Sequence, residues 1–363
     1  MKLTRWQFIC VMISLEVCMT IWLTISPALR AAKQDAWISI LLGGGQGLAI
    51  ALLMGRVSRL YPDQTIIQYS NLILGKWAGK AVSMLYFLAW YSVAAVILRD
   101  AADFLQLALF RQTPIYAIVT ILLLLMVYIN YKGDLQVIGR FGEIAGPLLL
   151  IVVGGTFVLN LGNIQPELIR PILSDYGVRE IIQGSFTFAS FLGEAYFLLM
   201  LMPFLTDRKG ARRDILWVIA ITIVVVTLAT VLVIMLFGPY HPAKLLYPYF
   251  YAVRYISLLE FIEHMDIWVI IVWLFAVFVK LSLYMFICSY GTAQWLGIKS
   301  WKSVIWWFAA FLFFASVLPP NVTVVISDYA QFVWIRFVFP ILMVALPLLL
   351  LIVGTLRKRS SLP

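Results

Sequence analysis

Twenty consecutive residues from Val218 to Phe237 carry no charged side chain, and the runs from Trp6 to Ala28, Trp37 to Leu60 and Ile118 to Ile129 are nearly as apolar. A helix needs roughly 20 apolar residues to cross roughly 30 Å of hydrocarbon. Several of these runs meet that length, so the chain reads as an all-α protein that folds within a membrane. Composition agrees: 12% of the residues are charged, against about a quarter in a soluble domain. The first run exceeds the roughly 7–15 apolar residues of a cleaved signal peptide and lacks a clean small-residue cleavage site. It also holds Glu16 in its middle, and is read as the first span.

Charged punctuation divides the chain into about ten helices, at 6–28, 37–60, 81–108, 115–131, 143–162, 182–205, 215–237, 265–290, 303–319 and 330–356. With the N-terminus placed inside, 17 of the 27 basic residues fall on the inner side, nine on the outer, and Lys280 within a span. Retention of Lys and Arg in cytoplasmic loops sets orientation, so both termini are expected in the cytoplasm. The same loops account for the net charge of +10 by facing anionic lipid headgroups of the bilayer. No loop is long enough for a basic domain, and no nucleic-acid partner is expected. Residues 61–80 read as an amphipathic helix ended by Gly75 or Gly79, 163–181 as an outer loop with a short helix, and 238–264 as an aromatic-rich outer loop.

Soluble-type chemistry finds little support. The three cysteines, Cys10, Cys18 and Cys288, lie in apolar runs without CxxC spacing, and the two histidines, His241 and His264, are too far apart for helical ligation. No disulfide framework, metal site or cofactor is expected. Phosphate-loop, dinucleotide and nucleophile-elbow motifs are missing from the sequence, so an enzyme is not expected.

Residues 1–165 and 166–363 hold five spans each, and an odd number sends the second set into the membrane from the opposite side. Two such sets form an inverted repeat of the kind that binds ligand where the repeats meet, using discontinuous helices at matching positions. Here these are the first and sixth spans. FASFLGEAYFLLMLMP (188–203) puts Gly193 and Glu194 in the middle of the sixth, where glycine weakens the helix. The first carries Glu16 at similar depth, and Lys280 occupies the middle of the eighth. A charge at the bilayer centre costs about 2.5–3.5 kcal/mol on insertion scales and so faces a partner or a wet cavity. Lys280 is expected to pair with Glu16 or Glu194, beside a ligand. Helical spacing adds Thr20 to the Glu16 face, Ser190 and Phe191 to the Glu194 face, and Tyr284 to Lys280. The expected ligand-binding set is Glu16, Thr20, Ser190, Phe191, Gly193, Glu194, Lys280 and Tyr284.

The first span ending at Pro27, then QDAWISILLGG (34–44), YPDQTIIQYSNLILGKWAGK (61–80), VILRDAADFL (96–105), and FLGE followed by MPFLTDRKGARR (202–213) carry a resemblance. Over nearly its whole length the chain resembles the B subunit of bacterial spore germinant receptors, the spore permease family of the amino acid–polyamine–organocation superfamily. The resemblance implies a LeuT-like 5+5 fold in the inner membrane of the spore, sensing a small germinant, usually an amino acid, together with A and C subunits. The family's sixth-span Gly–Glu corresponds to Gly193 and Glu194. Thr20 stands where relatives tend to have glycine.

Three functions fit such a fold: a receptor whose ligand shifts an equilibrium read by partner subunits, a secondary amino acid transporter working by alternating access with or without protons, and a structural subunit. A fold alone does not choose among them; the resemblance favours the receptor.

Overall fold

The computed structural model describes residues 1–173, 177–256, 265–319 and 324–360. Among the described residues eight helices are long and apolar enough to cross a membrane. The helix Ile115–Asn160 bends at Asp134, whose φ of 59° and ψ of −175° are not helical, and so supplies both the fourth and fifth spans. Lys302–Val317 is apolar but shorter and forms the ninth. Ten crossings result among the described residues, as the sequence predicts.

Local chemistry sets several ends. Thr4 and Gln7 form a reciprocal capping box at the start of Arg5–Leu23, satisfying two N–H groups the first turn leaves free. Thr65 and Gln68 do the same for the connecting helix Ile66–Leu74. Gly75, at φ +89°, ends that helix and lets the third span begin at Lys76, five residues earlier than the apolar run suggests. The fifth span also starts early, just after Asp134, because a helix does not stop where its apolar run does. Lys302 steadies that bend, donating to the Tyr131 carbonyl at 2.7 Å and lying 3.3 Å from Asp134 Oδ1. In the far-side loops, Pro166–Ile169 and Pro242–Lys244 form 3-10 turns and Pro248–Arg254 a short helix. His264 and part of each loop lie outside the described residues.

The second span, Ala36–Ser58, runs against the sixth through small residues. A Cβ on Gly43 would fall 2.5 Å from the Ser185 carbonyl oxygen, and one on Gly47 would collide with Leu192. Small residues let helices approach closely where lipid supplies no hydrophobic drive.

Both chain ends lie on one face. Leu3 N donates to the Phe204 carbonyl at 2.8 Å and Thr206 N to the Leu3 carbonyl at 3.0 Å, clasping the N-terminus to the loop after the sixth span. Arg5 adds two hydrogen bonds to Asp214, of 2.9 and 2.8 Å. The C-terminal Lys358 reaches the Leu60 carbonyl nearby. On the far face, Ser26 donates to the Ala243 carbonyl at 3.2 Å, and Trp22, Phe104, Tyr249 and Trp273 form an aromatic cluster with centroids 4.6–5.8 Å apart along Trp22–Phe104, Trp22–Tyr249, Trp22–Trp273 and Phe104–Trp273.

Candidate functional site

The sixth span gives way in mid-membrane. Val178–Leu192 is α-helical, Gly193–Tyr196 tightens to a 3-10 turn, and Phe197–Leu201 resumes the α form. Gly193 has a second reason to be glycine: a Cβ there would overlap Met343 Sδ of the tenth span. The first span behaves differently. It stays α-helical through Glu16 and Thr20 to Leu23, then breaks at Thr24 before resuming as Ile25–Ala32. The Thr20 hydroxyl donates to the Glu16 carbonyl and the Thr24 hydroxyl to the Thr20 carbonyl, the latter at 2.7 Å. Such back-bonding tends to bend helices, and it places this break one turn beyond the position where glycine would have made it.

Glu194 is the centre of the polar interior. Lys280 Nζ donates to Glu194 Oε2 at 2.6 Å and to the Leu15 carbonyl at 3.1 Å. Tyr284 donates its hydroxyl to Glu194 Oε1 at 2.7 Å and is joined to the Tyr196 hydroxyl at 3.0 Å. Lys280 therefore pairs with Glu194, and the first span contributes a backbone carbonyl rather than its carboxylate. Glu16 is fully buried, and neither of its carboxylate oxygens has a hydrogen-bond partner. Around this hub Trp90, Tyr196, Phe197 and Tyr284 pack ring against ring, with centroids of 6.0 Å for Trp90–Tyr196 and 4.7 Å for Phe197–Tyr284.

On the far side a cavity of about 110 Å³ is lined in part by Glu194. Its walls are mainly apolar, with Leu23, Val93, Ile97, Phe191, Leu246 and Trp334 from four spans and a loop. Thr187, Glu194, Asp100 and Arg30 are among its polar groups. An apolar pocket with a few placed polar groups is the usual form of a small-ligand site.

Of the residues expected from sequence, Phe191 and Glu194 line this cavity. Lys280 and Tyr284 hold Glu194 from behind. Ser190 turns back to the Thr187 carbonyl, and its own carbonyl receives Trp334 Nε1 at 3.3 Å. Thr20 bonds within its helix, Gly193 faces Met343, and Glu16 sits apart from the cavity wall. Helical spacing puts these residues on shared faces, and a face is wider than a cavity.

Asp100 and Arg30 were missed. In sequence, the outer end of the third span runs into Arg99, Asp100 and Asp103. Arg99 in fact pairs with Asp103 at 2.7 Å and donates to the carbonyls of Ser316 and Pro319 at 2.9 and 2.6 Å. Asp100 is left out of that pairing. Its Oδ1 accepts the Tyr247 hydroxyl at 2.6 Å, with the Tyr247 ring 5.1 Å from Phe104. Among the described residues, no three His, Cys, Asp or Glu side chains gather as a metal site would need.

Comparison with known proteins converges on one group. Residues 2–322 match the family described as "Spore germination protein". Spore germination protein KB of Bacillus subtilis is 27% identical over 275 residues, covering 75% of this chain and 73% of its own. YndE of the same organism is 24% identical over 338 residues, covering 92% and 90%, and GerQB of Bacillus cereus is 25% identical over 300 residues, covering 80% and 79%. Among solved structures, a Na+-coupled sialic acid symporter in a substrate-bound, outward-open state superposes with a TM-score of 0.64 at 13% identity, over 99% of this chain and 90% of that one. At that identity the likeness is one of fold: a LeuT-like 5+5 architecture with broken first and sixth helices.

Proposed function

The chain belongs to the spore germination protein family, and from that premise we propose that it is the nutrient-sensing membrane subunit of a spore germinant receptor. In this reading it sits in the spore inner membrane with both termini in the cytoplasm. A small polar germinant, an amino acid, enters from the far side and comes to rest against Glu194. Closure around it shifts an equilibrium that partner A and C subunits read. Any such shift requires ligand affinity to differ between two states, and the discontinuous sixth span lining the cavity is the element able to move. The observation that carries the proposal is the cavity lined in part by Glu194, which Lys280 and Tyr284 hold in place.

Two measurements test it. Glu194→Gln keeps the volume and part of the hydrogen bonding, so the protein is expected to reach the membrane at normal abundance while the germination response at threshold nutrient falls at least about tenfold, as for loss of one charge-assisted contact. A normal response would remove Glu194 from the site. Proteoliposomes offered labelled amino acids then separate receptor from transporter. Label that saturates near the number of protein molecules and survives lysis supports the receptor. Label that scales with internal volume and is lost on lysis makes the chain a secondary transporter.

A further inference from the structure

A second hollow lies away from the Glu194 hub, where the second, sixth and tenth spans meet. It is a groove of about 590 Å³ whose walls are apolar apart from Gln46 and Arg56, the first and last of its lining residues on the second span. Leu53 of that span and Leu348 of the tenth form its sides. The deep end is closed. Gln46 Nε2 donates to Ser185 Oγ of the sixth span at 3.3 Å, and the rings of Phe186 and Phe339 meet edge-on with centroids 6.5 Å apart, joining the sixth span to the tenth.

The end toward the termini face is open and positive. Arg56 is exposed and forms no hydrogen bond or ion pair among the described residues. One turn on, Arg59 donates to the Lys209 carbonyl at 3.0 Å, and the Arg212 side chain lies against Gly55. The carboxylates closest to them in sequence are taken by other arginines, Asp63 by Arg208 and Asp214 by Arg5 and Arg213. The inner end of the second span therefore presents positive charge without an acidic partner.

Length points to the occupant. The helix from Gln46 to Arg56 covers roughly 15 Å at 1.5 Å per residue, half of a hydrocarbon core roughly 30 Å thick. A groove one leaflet deep, apolar along its sides and cationic at headgroup level, has the proportions of a phospholipid. A helix of another chain would run the full thickness of the membrane instead.

We propose that this groove binds one phospholipid of the leaflet on the termini face, its acyl chain lying between Leu53 and Leu348 as far as Phe186 and its phosphate meeting Arg56. Arg59 and Arg212 add to the field at that end and favour a headgroup of net negative charge, since basic side chains at the surface attract anionic lipid. The site is separate from the Glu194 cavity and does not rest on the receptor reading.

Photolabelling of the full chain in nanodiscs tests the site, with phosphatidylglycerol and phosphatidylcholine carrying the same acyl-chain diazirine. Peptides holding residues 46–56 and 344–351 are expected to take roughly fivefold more label from phosphatidylglycerol, the worth of one basic side chain at an anionic surface. The exposed stretch around Leu124 on the fourth span should take the two lipids equally. Arg56→Gln, at an exposed position, should bring phosphatidylglycerol down to the level of phosphatidylcholine in the groove and leave phosphatidylcholine unchanged. Equal labelling of the groove by the two lipids in the unaltered protein overturns the site without any variant having to fold, as does labelling no denser there than at Leu124. The competing occupant is a helix of a second copy, which could bring a donor to Gln46 Oε1, buried without a partner. Rapid disulfide formation between two copies of Ala49→Cys in native membranes would put protein in the groove and overturn the lipid site; no such product supports it.

Discussion

The first and sixth spans each bury one glutamate near the middle of the membrane, and the protein surrounds the two in opposite ways. Glu194 is met by an ammonium and a phenol, at 2.6 and 2.7 Å, and touches a cavity. Glu16 is equally buried and has no hydrogen-bond partner. The backbones differ in parallel: the sixth span tightens to a 3-10 turn at its glutamate, whereas the first runs through Glu16 as an unbroken α-helix and bends two turns later at Thr24. Equal depth and equal residue type therefore do not imply equal roles. A buried charge becomes part of a site where the local backbone and a neighbouring helix both turn toward it.

Breaking that contrast at its stronger side should have the largest effect. Lys280→Ala leaves Glu194 buried without its cation, and removal of one partner from a buried ion pair destabilises by about 3–5 kcal/mol. The midpoint of chemical unfolding in detergent should drop accordingly, and adding Glu194→Gln to the same chain should restore most of the loss. A double variant no better than Lys280→Ala would falsify the pairing. Gly193→Ala comes next. Its Cβ meets Met343 Sδ, an overpacking expected to cost about 1–3 kcal/mol. Met343→Ala should relieve it in thermal melts, and failure to do so would mean that Gly193 serves the turn alone. The weaker side of the contrast should respond least, and with the other sign. Glu16→Met removes two unpartnered buried oxygens, which stabilises by about 1 kcal/mol. If instead Glu16→Met destabilised as strongly as Lys280→Ala, the two glutamates would be working as one unit.

Apolar run length and charge placement made the spans legible, since lipid leaves a hydrophobic helix few alternatives. Gly193–Glu194 was legible for the same reason: a glycine beside a charge in mid-span is too unfavourable to be incidental. Which glutamate takes Lys280 was not, because that depends on the rotation of three helices about their axes, and a helical face spans several residues that spacing cannot rank. Asp100 was hidden by a different route. Its neighbour Arg99 is drawn off by the carbonyls of Ser316 and Pro319, more than 200 positions away in the chain, so that Asp100 is left to the Tyr247 hydroxyl only once these segments are packed. The Thr24 break arises from two threonine hydroxyls bonding backward, where glycine was the expected signal.

The clasp at Leu3 has a consequence in time. Its partner Thr206 is made 203 residues later, an interval of roughly 10–40 s at the usual synthesis rate of about 5–20 residues per second. During that interval the N-terminal end of the first span goes without this contact. The joint on the termini face is thus among the later ones to close during synthesis. A chain truncated before Phe204 lacks the partners that close this clasp.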